Sequence, residues 1–172
     1  MDEELIMGID VGIANVGIAL IKADNGKLVH LQYLTTNPKD KFQDRLRMIH
    51  DEIEGLIMRF SIDKIVFEEV HLTQNSYKNN SMLRLNMVVG VILLLCSQFD
   101  IEPMLLSPVQ IKLLMGGKGN CDKKTIQRRL LYVYPSISAR ASWQALFEVD
   151  HVSDALAQAR TCWILSMGRK KH

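Results

Sequence analysis

The chain has 172 residues, is 48% hydrophobic and 23% charged, and carries a formal net charge of +2. That is an ordinary globular composition, long enough to bury one sizeable core, and the net charge is too small to imply a partner. Cys96, Cys121 and Cys162 form no Cys-x-x-Cys pair and are odd in number, which argues against a disulfide framework or a cysteine zinc site and for a reducing compartment.

Asp2, Glu3 and Glu4 follow the initiator, so no signal peptide is expected. The longest apolar stretch, Met87 to Cys96, is too short to cross a bilayer. A cytoplasmic protein with no membrane partner is expected, or one of the host cytoplasm if the source is a phage or virus.

Leu5 to Val11 reads as a strand, Gly12-Ile-Ala-Asn15 as a turn, and Val16 to Ala23 as a second strand. Asp24-Asn25-Gly26 carries the Asn-Gly pair of tight hairpins, so Lys27 to Leu34 pairs back as a third strand. Asn37-Pro38 opens a helix of roughly twenty residues. Phe42, Leu46, Ile49, Ile53, Leu56, Ile57 and Phe60 share one face of it. Lys64 to Glu68 is a short apolar strand, and His71 to Asn80 is polar. Residues 81–99 form a helix apolar almost all round, which reads either as a central core helix or as one packed partly against a second subunit. Met104 to Leu106 is a brief strand. Ser107-Pro108 caps a helix to about Met115, and Asp122 caps another from Lys123 to about Tyr134. The last helix covers Asp150 to Ser166. Three antiparallel strands followed by alternating helices and strands predict a mixed α/β sheet with helices on both faces. A single domain over residues 1–167 and a basic tail over 168–172 are expected.

Four polar groups stand out by position. Asp10 is an acid inside the apolar run of residues 6–20, where a carboxylate is costly unless paired, protonated or metal-bound. Glu68 closes its strand. His151 and Asp154, three apart, share a face at the start of the last helix. Each alone has a plainer reading: Asp10 as a turn cap, Glu68 as a solvated strand end beside Glu69, Asp150 and Asp154 as helix N-terminal acids, His151 as a surface or packing histidine. Together they suggest carboxylates neutralised by a divalent cation, and Mg²⁺ favours such oxygen ligands. Lys118, Lys123, Lys124, Arg128 and Arg129 cluster in one stretch, with Lys112 upstream. Beside a Gly-rich loop with few acids, that cluster suggests phosphate contact rather than only a solvated face.

Four stretches in register carry a resemblance over nearly the whole chain. They are Gly8-Ile-Asp10-Val-Gly-Ile-Ala-Asn15, Val66-Phe-Glu68-Glu-Val, the lysine-bearing Gln110-Ile-Lys112 and Gly117-Lys-Gly119 with Asp122-Lys123, and His151-Val-Ser-Asp154-Ala-Leu-Ala157. The chain resembles RuvC-type Holliday junction resolvases of the RNase H-like superfamily. That resemblance implies a five-stranded RNase H-like sheet and a homodimer acting on branched DNA, especially four-way junctions. It implies hydrolysis to a 5′-phosphate and a 3′-hydroxyl with two Mg²⁺ per active site, Mn²⁺ also supporting activity. Asp10, Glu68, Asp154 and His151 would be metal ligands and catalytic groups, with Asp150 as a fifth candidate. Members carry either aspartate or histidine where His151 stands. Lys112 and Lys123 would lie close to the scissile phosphate, and His71 stands nearest the position where some members place a stacking aromatic. Other readings are a broader RNase H-like nuclease for flaps, forks or structured RNA, and a junction-binding module without catalysis. ATPases that also open with Asp-x-Gly on a hairpin need a second phosphate-binding half, for which this chain is too short.

Overall fold

The computed structural model describes residues 4–69 and 80–169. The elements in chain order are β1 (Leu5–Asp10), β2 (Asn15–Lys22), β3 (Leu28–Thr35), α1 (Phe42–Arg59), β4 (Ile62–Glu68), α2 (Asn80–Gln98), β5 (Glu102–Leu106), α3 (Pro108–Gly116), α4 (Lys123–Val133), α5 (Ala141–Phe147) and α6 (Asp150–Arg169). They build one five-stranded sheet of order β3-β2-β1-β4-β5. The first three strands are antiparallel, and β4 and β5 run parallel to β1. This is the mixed sheet expected from the sequence.

Alternation along the strands divides the core in two, because successive side chains point to opposite faces. Met7, Ile9, Ile18, Leu20, Ile65 and Phe67 pack under α1 and α2. Ile6, Ala19, Ile21, Val66 and Leu106 pack under α3 to α6. Asp10 is two residues beyond Gly8 and Glu68 two beyond Val66, so both acids belong to the face that α6 covers.

Several element boundaries differ from the sequence reading. Asp10 is the last residue of β1 rather than mid-strand, and its side chain is 23% exposed. Helix α1 begins at Phe42, not at Asn37-Pro38. The Asn37 side chain instead accepts from the Lys39 amide at 3.0 Å, a local turn that competes with the helix. Strands β4 and β5 each begin two residues earlier than read. Helix α5 was not foreseen. Helix α6 runs to Arg169, so the expected tail at 168 starts inside it. The capping signals hold: Ser107 and Gln110 form a capping box, and the Asp122 carboxylate accepts from the Thr125 amide at 2.7 Å.

Helix α2 is not buried on all sides. Val88, Ile92, Leu95 and Cys96 face the core, while Leu83, Met87 and Leu94 are exposed. Among the described residues it is also the one helix long and apolar enough to cross a membrane by length and composition. Its inner face is packed against the sheet.

Two glycines set the seat of α6. A Cβ at Gly8 would run into the Ala155 carbonyl and the Ala159 amide, and one at Gly17 into the His151 carbonyl. The backbone of α6 therefore lies directly on β1 and β2. Gly17→Ala is expected to lower the unfolding free energy by about 1–3 kcal/mol, the usual cost of overpacking. Urea denaturation checks it, with Gly55→Ala in α1, where nothing lies within 4 Å, as the control that should instead gain about 0.5–1 kcal/mol.

Candidate nuclease site

The register across β1, β2 and β3 places Asp10 opposite Gly17 and Gly17 opposite Tyr33. The middle residue of this row has no side chain, and α6 lays its first turn there. His151 thus sits between the two outer members. Its Nδ1 is 2.5 Å from Asp10 Oδ2. Its ring lies nearly parallel to that of Tyr33, 11° off, with centroids 6.2 Å apart. The Tyr33 hydroxyl donates to Asn15 Oδ1 at 2.7 Å, which fixes the ring it offers to His151.

The turn after Asp10 is held from the other face. Arg45 of α1 is buried; its Nε donates to Thr36 Oγ1 at 2.8 Å and its Nη2 to the Ile13 carbonyl at 3.1 Å. Thr36 Oγ1 donates to the same carbonyl at 2.5 Å. A buried guanidinium satisfied this way rigidifies the loop that follows the acid.

Asp10, Glu68 and Asp154 line one cleft of about 390 Å³, together with Glu69, Met82, Leu85 and Pro108. A second cleft of about 370 Å³ meets it at Glu68, Pro108 and Asp154, and is walled by Lys112, Lys123, Ile111, Ile126 and Gln158. The structure thus brings together Asp10, Glu68, His151 and Asp154, with Lys112 and Lys123 beside them. Asp150 turns towards α4, where Lys123 Nζ lies 3.2 Å from its Oδ2 and Gln127 Nε2 donates to its Oδ1 at 3.2 Å. Lys118 is exposed in the loop after α3, and Lys124, Arg128 and Arg129 are exposed on α4. Arg128 lies back along its own helix, donating to the Lys124 carbonyl. His71, Lys170 and Lys171 fall outside the described residues.

The electrostatics of this corner are compatible with a bound cation. Burial pushes the Asp10 carboxyl above its ordinary value; the His151 hydrogen bond draws it back, and the Asp154 charge raises it again. Burial also lowers the Lys123 ammonium, but the hydrogen bonds and charges of Asp154 and then Asp150 outweigh that and raise it overall. Three carboxylates and an imidazole form a donor set suited to a divalent ion, whose charge would offset both desolvation and mutual repulsion. Among the described residues, the trio whose ligand atoms close to within 4.8 Å is His50, Asp51 and Glu54 on α1, away from the strand-end acids.

Tyr33, Arg45 and Gln158 escaped the sequence reading, and Asn15 entered it only as a turn and motif residue. Gln158 lies one turn beyond Asp154, is buried, and lines the second cleft with an Oε1 that has no hydrogen-bond partner. A polar residue four positions after Asp154 on an otherwise apolar helix face was the available signal. Tyr33 was legible only once strand register was known.

The sheet order, its helices and the strand-end acids define the RNase H-like class of metal-dependent nucleases. The family model for crossover junction endodeoxyribonuclease RuvC matches residues 6–162. The chain belongs to the RuvC family of crossover junction endodeoxyribonucleases. It is 32% identical to the RuvC of Ruminiclostridium cellulolyticum over 157 residues, 90% of this chain and 89% of that protein. It is 30% identical to that of Finegoldia magna over 156 residues, again covering 90% and 89%. A Thermus thermophilus RuvC solved in complex with a Holliday junction substrate shares the fold, with a TM-score of 0.79, 22% identity, and 95% and 96% of the two chains covered.

Because the folded state holds the Asp10 carboxyl above 3.8, its ionisation opposes folding. That cost is absent below the unfolded value, grows as pH rises from it through the folded one, and is complete above the folded one. Asp10→Asn should therefore be at least as heat-stable as the parent at pH 7 without metal, with the gap closing in acid. Thermal denaturation in chelator across pH 3–8 checks this; a lower midpoint for the variant at pH 7 would contradict it.

Proposed function

We propose that this chain resolves four-way DNA junctions by paired, metal-dependent phosphodiester hydrolysis, residues 1–167 acting as one nuclease domain. The observation that carries the reading is the joining of Asp10, Glu68, His151 and Asp154 at the strand ends, with Lys112 and Lys123 along the adjoining cleft. Asp10, Glu68 and Asp154 would hold the metal, and His151 would complete the set in preference to Asp150, whose carboxylate faces α4. Two Mg²⁺ ions, with Mn²⁺ the better match for an imidazole ligand, would supply positive charge to the attacking and leaving oxygens.

The residues divide the remaining work. His151 Nδ1–H on Asp10 fixes the tautomer and leaves Nε2 with a lone pair, suited to bind metal or to accept a proton. Tyr33 holds the imidazole plane. Lys112 and Lys123 meet the phosphate beside the cut, while Lys118, Lys124, Arg128 and Arg129 give sequence-independent attraction to the DNA arms. The products carry a 5′-phosphate and a 3′-hydroxyl. Among the described residues no disulfide joins Cys96, Cys121 and Cys162, which suits a protein working on DNA in a reducing cytoplasm.

Paired cuts in a two-fold symmetric junction call for a two-fold dimer. The exposed stripe Leu83, Met87, Gly90 and Leu94 on α2 supplies a face for it. At micromolar concentration sedimentation should give a dimer for the parent and a monomer for the double variant Leu83→Glu, Leu94→Glu.

The function is tested by incubating a mobile four-way junction, a flap and a plain duplex with Mg²⁺ or Mn²⁺. The parent is expected to cut the junction in preference to the others. Asp10→Asn should bind the junction as the parent does and lose nicking by at least about a hundredfold. Equal cleavage of flap and junction favours the broader nuclease, and nicking by the variant at the parent's rate removes Asp10 from the mechanism.

A further inference from the structure

We propose that Lys123 is the resident counter-ion of the acidic site. Its ammonium holds the place of a divalent cation on Asp154, leaves when that cation binds, and is then available to the substrate phosphate. This rests on the metal-site reading above and adds the residue that sets how readily the site takes metal.

Lys123 Nζ lies 2.7 Å from Asp154 Oδ2 and 3.2 Å from Asp150 Oδ2. Asp154 is one of the three acids that line the cleft with Asp10 and Glu68. An ammonium and a divalent ion cannot neutralise the same carboxylate oxygen at contact distance without strong mutual repulsion. Metal that takes Asp154 Oδ2 therefore displaces Lys123 from it.

The surroundings make that exchange inexpensive. Lys123 is the first residue of α4, and its side chain is 42% exposed on an unbranched stem. Moving it disturbs no core packing, and the helix start is secured by the Asp122 cap instead. Asp150 keeps a donor after the lysine leaves, because Gln127 Nε2 bonds its other oxygen. The freed ammonium remains on the wall of the cleft that also carries Lys112. Metal on the acids and phosphate on the lysine then favour each other, a coupling that runs equally in both directions.

The competition has a direct readout without DNA or turnover. Mn²⁺ is titrated by calorimetry into the full-length parent, Lys123→Met, Lys123→Arg, Arg129→Met and Asp10→Asn at fixed ionic strength. Lys123→Met is expected to bind Mn²⁺ about three- to tenfold more tightly, the factor that two half-exposed ion pairs can supply. Lys123→Arg, which keeps the cation, should stay within about twofold of the parent, as should Arg129→Met, which removes one charge from the same helix. Unchanged or weaker binding by Lys123→Met overturns the proposal, and so does equal tightening by Arg129→Met, which would mark a general field effect. Asp10→Asn separates the two levels. If it binds Mn²⁺ as the parent does, the metal-site reading itself fails; if it loses binding while Lys123→Met is unchanged, only the role of Lys123 fails.

Discussion

The close seat of α6 on β1 and β2 is the constraint on which the site depends. Gly8 and Gly17 remove the side chains that would hold the helix away from the sheet. With the helix backbone against the strands, its first turn falls over the row Asp10–Gly17–Tyr33. His151 is then held between an acid and an aromatic ring, and Asp154 is brought to the cleft that Asp10 and Glu68 share. Helices α3 and α4 pack in turn on α6, which carries Lys112 and Lys123 to the second wall. One steric allowance thus positions groups from six separate elements.

The same packing creates an electrostatic problem and its solution. Bringing acids from two strand ends to a helix start desolvates Asp10 and sets it near Asp154. Repulsion of this kind is relieved by protonation, by hydrogen bonding or by a cation. Lys123 gives partial relief from the α4 side. A divalent ion gives more, being more highly charged and able to engage several carboxylates at once. An acidic corner of this kind is compatible with a bound metal, as the chemistry of phosphate cleavage would use.

Much of this was legible in the sequence because short-range chemistry fixed it. The hairpin at Asn25-Gly26, the capping box at Ser107 and Gln110, the Asp122 cap and the acids at strand ends are all local signals. The sequence also pointed to His151 and Asp154 as a pair on one helix face. What it did not carry was register. The row that joins Asp10 to Tyr33 through Gly17 exists only when three strands are aligned, and the division between His151 and Asp150 only when α4 stands beside α6. Helix α5 was missed because Arg140 gives it no side-chain cap and its seven residues are too few for a clear period. Helix α2 read either as a core helix or as one packed partly against a second subunit, because composition does not say which face the sheet occupies; four of its residues are buried, and its outer apolar stripe is left uncovered.

The central claim is that the strand-end acids and His151, rather than any other cluster, hold the metal. Anomalous diffraction from crystals soaked in Mn²⁺ tests it most directly. The account predicts anomalous density among Asp10, Glu68, Asp154 and His151, with the Lys123 ammonium withdrawn from Asp154. Density confined to His50, Asp51 and Glu54 on α1, with the Lys123–Asp154 pair intact at saturating metal, would contradict it.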